Sequence, residues 1–326
     1  MRLLVTGGAG FIGSHLVRTV LADRLEALSG AAVTVLDKLT SVGNRANLAP
    51  VAGSPRLTFV EGDIGDAALV DRLIRGQDAV VHLAAESHVD RSIGDATPFV
   101  VTNVLGTQTL LDAALRHGTR RFVLVSTDEV YGSVAEGACT ETAPLAPSSV
   151  YSATKAAAEL MTLAYHRTHG LDVSITRASN TYGPYQYPEK IIPLFVTNLL
   201  DGLSVPLYGD GLNVRDWLHV DDHCQGIALV LAGGRPGEVY NVGGGTSLTN
   251  RELTERLLEA CGAGWDRVER VDDRKGHDRR YSIDSTRISA QLGYRPRMDF
   301  ATGLADTVRW YAEHRAWWQP LRRRVA

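Results

Sequence analysis

Short apolar runs and longer amphipathic stretches alternate through the first half of this chain. Arg2–Thr6, Ala32–Leu36, Leu57–Val60, Ala79–Leu83, Arg121–Val125 and Val173–Thr176 are brief and rich in Val and Leu. Several are apolar at nearly every position, the pattern of strands covered on both faces. Between them, Ile12–Leu28, Thr97–His117 and Val150–His169 carry apolar residues at helical spacing. The alternation predicts an α/β fold with a doubly wound parallel sheet. Beyond Asn180 the pattern loosens and Pro, Gly, Tyr and Arg cluster. That part reads as a smaller C-terminal lobe, interrupted by returns to the sheet.

Composition changes this picture little. With 326 residues, 44% hydrophobic, 22% charged and a net charge of −3, the chain suits a globular protein with a large core. The charge balance speaks against nucleic acid, and Arg322-Arg323-Arg324 reads as a solvated end. Cys139, Cys224 and Cys261 lack paired spacing and read as reduced thiols of a cytoplasmic protein. Leu3-Leu4-Val5 is too short for a signal-peptide core, and no stretch approaches membrane-spanning length.

Candidate chemistry begins after the first strand, with Gly7-Gly8-Ala9-Gly10-Phe11-Ile12-Gly13. In a strand–loop–helix setting this is a Rossmann-type dinucleotide loop. Gly7 permits the turn, Gly10 admits a pyrophosphate and Gly13 lets the helix approach the sheet. Asp37 ends the second strand, where an acid accepts from ribose hydroxyls and repels a 2′-phosphate. NAD is therefore expected rather than NADP, although Lys38 argues mildly the other way. Asp63-Ile64 is placed to contact adenine. Leu83-Ala84-Ala85 leaves room beside the cofactor.

Ser126-Thr127-Asp128-Glu129-Val130-Tyr131-Gly132 follows the fifth strand, so two acids emerge at its carboxyl end, where open sheets bind ligands. Tyr151 and Lys155 are four apart on a helix and share a face. A nearby ammonium would favour the phenolate, and Tyr would then remove a hydroxyl proton during oxidation. Elimination of water needs an acid and a base in opposite protonation states, which an acid pair provides if its pKa values are pushed apart. Taken alone, each motif has a plainer reading: a capped strand exit, or a packed Tyr ring beside a snorkelling Lys.

GGAGFIGSH, LAAESHVDRSI, STDEVYG, YSATK and YGPYQYPEK together resemble the extended short-chain dehydrogenase/reductase family. Within it they resemble the dTDP-glucose 4,6-dehydratases, over nearly the whole chain. The resemblance implies that Thr127, Tyr151 and Lys155 serve oxidation at the glucose C4. It gives Glu129 the C5 proton and Asp128 the departing C6 hydroxyl, yielding a 4-keto-6-deoxy sugar nucleotide. It implies further cofactor contacts at Leu39, Thr40, Gly43, Thr102, Val125 and Asn180. For dTDP-glucose it implies Arg215 and Arg274 at the phosphates, amides from Asn180 and Asn250, and His277 and Tyr281 nearby. Tyr208, after Pro206, offers a ring to the base; Lys190 and Leu194 lie where the family closes over the nucleotide, and Ser87 reaches toward the hexose.

On this reading residues 1–178, with a returning segment about 213–241, bind NAD, and 179–212 with 242–326 bind the sugar nucleotide. His82, His88 and His219 are expected to be structural, and no residue spacing indicates a metal. The helices Thr97–His117 and Val150–His169 resemble those of a dimer interface, so a homodimer is expected. The chain departs from the family at Thr181, at Ser41-Val42 and at Val150. A related epimerase or decarboxylase, or a UDP- or GDP-sugar dehydratase, is the alternative; a non-catalytic NAD-binding regulator is a third. The acid pair argues against simple epimerisation, and the intact Thr127/Tyr151/Lys155 set against the regulator.

Overall fold

The computed structural model describes residues 1–40 and 42–322, so Ser41, Arg323 and Arg324 lie outside the described residues. Its strands are β1 (Arg2–Thr6), β2 (Ala32–Asp37), β3 (Leu57–Glu61), β4 (Ala79–His82), β5 (Arg121–Thr127), β6 (Val173–Ala178), β7 (Asn180–Tyr182), β8 (Val205–Tyr208), β9 (Val214–His219), β10 (Val239–Val242), β11 (Thr246–Thr249) and β12 (Val268–Val271). Seven of them form one sheet in the order β10-β6-β5-β4-β1-β2-β3. Every pairing in it is parallel. The strand order reverses between β1 and β4, the switch point at which doubly wound sheets open a crevice.

The helices are α1 (Phe11–Leu21), α2 (Ala67–Ile74), α3 (Val89–Gly94), α4 (Thr97–Phe99), α5 (Gly106–Arg116), α6 (Val150–His169), α7 (Ile191–Leu200), α8 (Val220–Gly233), α9 (Asn250–Ala260), α10 (Thr286–Leu292), α11 (Phe300–Glu313) and α12 (Arg315–Arg322). Alternation along the strands divides the core. Leu3, Val5, Val123 and Val125 join Leu16 and Val20 of α1 and Ile227 and Val230 of α8. Leu4, Phe122 and Leu124 join Val70 of α2, Leu110 of α5 and Ala158 of α6 on the other face. Residues apolar at every position are what a sheet covered twice requires.

β2 and β3 run one residue past their expected ends and β5 and β6 two, and three other expected elements differ more in form. The helix expected over Ile12–Leu28 stops at Leu21. Asp23 turns left-handed at φ 55° and its carboxylate takes the Gly30 N–H at 2.8 Å and the Arg56 guanidinium at 2.9 Å. The strand expected over Ala79–Leu83 ends at His82. The single helix expected over Thr97–His117 holds a π-helical stretch, Val100–Leu105. There the Asn103 amide bonds the backbone of Glu86 at 2.8 and 3.0 Å and Thr154 Oγ1 at 3.0 Å, pinning the widened turn to its neighbours.

In the second half, β10 joins the central sheet beside β6 and α8 packs beneath it, whereas β9 pairs with β7 and β11 in a separate three-stranded sheet. Tyr182, Phe195, Trp217, Leu253, Tyr311 and Trp318 form the core of this second lobe.

Candidate active site

One cleft runs along the carboxyl ends of β1, β2, β4 and β5. Its floor is the glycine loop. Gly7 donates to Leu36 O at 2.9 Å with φ +69°, and a Cβ there would lie 2.7 Å from Ala84 N. A Cβ on Gly13 would lie 2.2 Å from Gly7 O. Loop, helix and β4 exit therefore touch backbone to backbone, which only glycine allows. α1 has no side-chain cap and no acid in its first turn, so its leading N–H groups remain available to an anion. Asp37 Oδ2 accepts from Ala9 N and Oδ1 from Leu39 N, both at 2.9 Å. Burial pushes its pKa up and these amides hold it down. These residues fit a dinucleotide: an uncapped helix end for diphosphate, and an acid on the wall for ribose.

The cofactor residues expected from the sequence line this cleft, from Gly7 through Asp37, Asp63, Ala84 and Thr102 to Lys155 and Asn180. Leu39 is the exception. Its φ of 52° turns the backbone N–H toward Asp37, and the residue is not part of the cleft wall. The Lys38 ammonium is engaged by Asp63 at 2.9 Å, which removes the feature that favoured a 2′-phosphate.

At the far end of the cleft β5 delivers Thr127, Asp128 and Glu129. Thr127 Oγ1 caps the short turn that follows, accepting from Glu129 N at 3.3 Å. Asp128 is 2% exposed and its Oδ2 has no hydrogen-bond partner. Burial pushes its pKa well up, and the nearby carboxylates of Glu129 and Asp216 push it further. Glu129 is half-buried. Burial raises its pKa too, but Lys190, Arg274 and Arg215 oppose the rise, and Ser152 Oγ donates to it at 3.3 Å. Both pKa values are therefore raised, but unequally: Asp128 is pushed well up toward the neutral acid, while the cations around Glu129 restrain its rise and leave it the readier of the two to ionise.

Tyr151 and Lys155 reach the same end from α6, which Ser149 caps by accepting from Ser152 N. The expected effect of the ammonium on the phenol is not what this structure has. The Tyr151 pKa is raised, by burial first and then by Glu129 and Asp128, with only a hydrogen bond to Thr127 opposing. Lys155 Nζ instead donates to Val125 O at 2.7 Å, and burial lowers its pKa to about 8. The phenol sits beside two carboxyl groups, so its surroundings here favour the protonated form.

The expected sugar-nucleotide residues divide into two groups. Ser87, Thr127, Glu129, Asn180 and Lys190 line the cleft, and Lys190 Nζ donates to Ser87 O at 3.1 Å. Arg215, Arg274, His277, Tyr281, Asn250, Tyr208, Pro206 and Leu194 lie in the second lobe beyond its wall. Arg215 is buried, stacked 4.1 Å over the Tyr281 ring, and donates to Asp278 O at 2.9 Å. Arg274 lies 3.6 Å from Asp90. Both guanidiniums act on Glu129, so this patch adjoins the acid pair. Tyr208 and His277 are edge to face at 6.4 Å. Asn250 N donates to Asn213 O at 2.9 Å at the start of α9. Leu194 packs on the apolar core of the lobe, and Pro206 is half-buried in β8.

Several wall residues escaped the sequence reading: Glu86, Ser126, Ser179, Gln186, Tyr187, Glu189 and His223. Glu86, Gln186, Tyr187 and Glu189 sit inside quoted motifs, so their neighbours were the available signal. His223 arrives from α8 with no local signal; its Nδ1 lies 2.9 Å from Thr181 Oγ1, the partner of that departing residue. The three singled-out histidines hold the scaffold. His82 bridges Thr6 and Thr107 at 2.7 and 2.9 Å and is driven to about 3 by burial, while His88 and His219 cap α3 and α8. Among the described residues no His/Cys/carboxylate group is arranged to hold a metal.

Residues 4–307 match the GDP-mannose 4,6 dehydratase family. A dTDP-glucose 4,6-dehydratase of Streptomyces niveus is 62% identical over 99% of this chain and 96% of its own. The crystal structure of DesIV, a dTDP-glucose 4,6-dehydratase from Streptomyces venezuelae solved with NAD and dTDP bound, superposes with a TM-score of 0.97 at 64% identity, covering 98% of this chain and 100% of that one. A UDP-glucose 4-epimerase of Thermotoga maritima shares the fold at 32% identity and a TM-score of 0.88, covering 96% of this chain and 99% of that one.

Proposed function

Since the chain belongs to the dTDP-glucose 4,6-dehydratases of the extended short-chain dehydrogenase/reductase family, we propose specific tasks for the residues of its cleft. The protein is a hydro-lyase that uses NAD to convert dTDP-glucose to dTDP-4-keto-6-deoxyglucose. NAD, when bound, supplies the oxidant for C4 and the reductant returned to C6. The first turn of α1 would hold its diphosphate and Asp37 its adenosine ribose.

Tyr151, once ionised, takes the C4 hydroxyl proton, with Thr127 bonded to its oxygen and Lys155, one turn along α6, the cation assigned to favour that form. Glu129, flanked by Lys190, Arg215 and Arg274, removes the C5 proton once the neighbouring ketone has acidified it. Asp128 delivers its proton to the departing C6 hydroxyl. The observation that carries this division is the unequal setting of the two acids: Asp128 is buried beside two carboxylates with Arg215 as its opposing cation, whereas Glu129 faces three cations. An epimerase has no water to expel and no need of that inequality.

Arg215 and Arg274 receive the diphosphate, and Tyr208 the base. Residues 1–178 with about 213–241 serve the cofactor, apart from β9 with Arg215, which lies in the sheet of the second lobe; 179–212 and 242–326 serve the sugar nucleotide. Support comes from β10 and α8 lying with the central sheet and from the basic patch in the second lobe. We further assign a homodimer, supported by the exposed Val100, Val101 and Leu105 before α5 and Leu160 on α6. A cytoplasmic location is supported by three free cysteines. Among the described residues, no helix is long and apolar enough to cross a membrane.

The test is incubation with dTDP-glucose, UDP-glucose and GDP-mannose, with products read by mass. Loss of one water from dTDP-glucose, without net NADH, is the expected result. An unchanged mass with inverted stereochemistry would replace the reading with epimerisation.

A further inference from the structure

The glycine loop is tied to the last helix. Ala9, inside the loop, is held at both ends of its backbone. Its N–H donates to Asp37 Oδ2 at 2.9 Å, and its carbonyl accepts from Asn47 Nδ2 at 2.9 Å and Asn44 N at 3.1 Å. Asn47 is 1% exposed, and both ends of its amide are engaged, because Oδ1 accepts from the indole Nε1 of Trp317 at 2.9 Å. The indole N–H can only donate, so it fixes which way the Asn47 amide points. A flipped amide would set two donors face to face at Trp317 and two acceptors at Ala9.

A second line of contacts runs beside the first. Arg18 of α1 donates to Asn47 O at 2.6 Å, and its guanidinium lies 4.1 Å from the Tyr185 ring. Tyr185 packs against Trp310 at 4.5 Å and Trp317 at 5.5 Å. Its φ of 69° is a conformation that non-glycine residues hold only when their surroundings impose it. The next residues, Gln186, Tyr187, Glu189 and Lys190, line the cleft.

We propose that Asn47 is a positioning residue for the dinucleotide loop, oriented by Trp317, and that this clasp sets how long NAD is retained. The inference rests on reading the cleft as an NAD site. Both contacts act on the loop through Ala9 and Asp37, and neither places Asn47 or Trp317 on the cleft wall.

Holoprotein loaded with NADH and chased with excess NAD gives the release rate by loss of protein-bound fluorescence. Trp317→Phe keeps the ring and removes the donor, and release should quicken about threefold to tenfold, the effect of one neutral hydrogen bond. Asn47→Ala should quicken it at least as much, with Asn47→Ser as a milder second variant. In the Asn47→Ala background, Trp317→Phe should add nothing, because the two act in series. Release within twofold of the parent for Trp317→Phe and both Asn47 variants would overturn the proposal. So would effects that multiply independently, or a lowered thermal midpoint with an unchanged release rate. A parent protein that takes up no NADH would instead remove the NAD reading itself.

Discussion

Asp128→Asn should separate catalysis from stability. Asp128 is 2% exposed with Oδ2 unpartnered; burial first, then the carboxylates of Glu129 and Asp216, raise its pKa well above the ordinary 3.8 against the pull of Arg215. A group whose folded pKa is raised contributes its full stability below the unfolded pKa. That contribution is lost as pH rises through the folded pKa, since the unfolded chain can ionise and the folded one cannot. Asn does not titrate, so its advantage over Asp grows with pH across that window. One proton is at stake, so the difference between variant and parent grows by up to ~1.4 kcal/mol between about pH 5 and pH 6. The extra N–H of Asn adds an unsatisfied-donor cost of about 1–3 kcal/mol, but that cost does not vary with pH. Urea unfolding of both proteins at saturating NAD, at about pH 5, 6 and 7, gives the slope. Turnover should fall about 10²–10⁴-fold through loss of the general acid. Parallel stability curves would show that Asp128 titrates near its ordinary value and is not held neutral as the acid.

Glu129→Gln should still oxidise C4, so stopped flow should show reduced nicotinamide without dehydrated product, whereas Tyr151→Phe should leave the cofactor oxidised; dehydration by Glu129→Gln at the parent rate would refute its role as base. Asp37→Ala should weaken NAD about tenfold to a hundredfold in equilibrium binding, the value of a charge-assisted hydrogen bond; unchanged affinity in a folded variant would exclude Asp37 as ribose ligand. Arg274→Ala should weaken dTDP binding by calorimetry with little change in thermal midpoint, whereas Arg215→Ala should also destabilise the fold, because Arg215 alone is buried and bonded to Asp278 O. Equal loss of stability in both would make Arg274 structural.

The sheet was legible because several strands, β1, β4 and β5 above all, are apolar at successive positions and most end in glycine or a polar residue. The cleft floor was legible because a glycine loop, an acid after β2 and small residues after β4 are local signals. What could not be read is long-range. The π-helical turn at Val100–Leu105 depends on Asn103 bonding Glu86 and Thr154, which no window of sequence contains. The raised pKa of Tyr151 arises from Glu129 and Asp128, brought in by β5, while Lys155 turns to Val125 O. Spacing placed Tyr151 and Lys155 on one face and said nothing of which neighbour each would meet. The end of α1 at Leu21 was missed because Asp23 turns left-handed to meet Gly30 and Arg56.

The bond from Trp317 to Asn47 joins positions 270 residues apart. During synthesis the glycine loop emerges well before that indole, and β1 can pair with β2 before β4, β5, β6 and β10 exist. The indole that orients Asn47 follows 270 residues after it. A nascent chain therefore presents an unclasped loop while those residues are made, and under the proposed clasp secure retention of the dinucleotide begins only once Trp317 has emerged and packed.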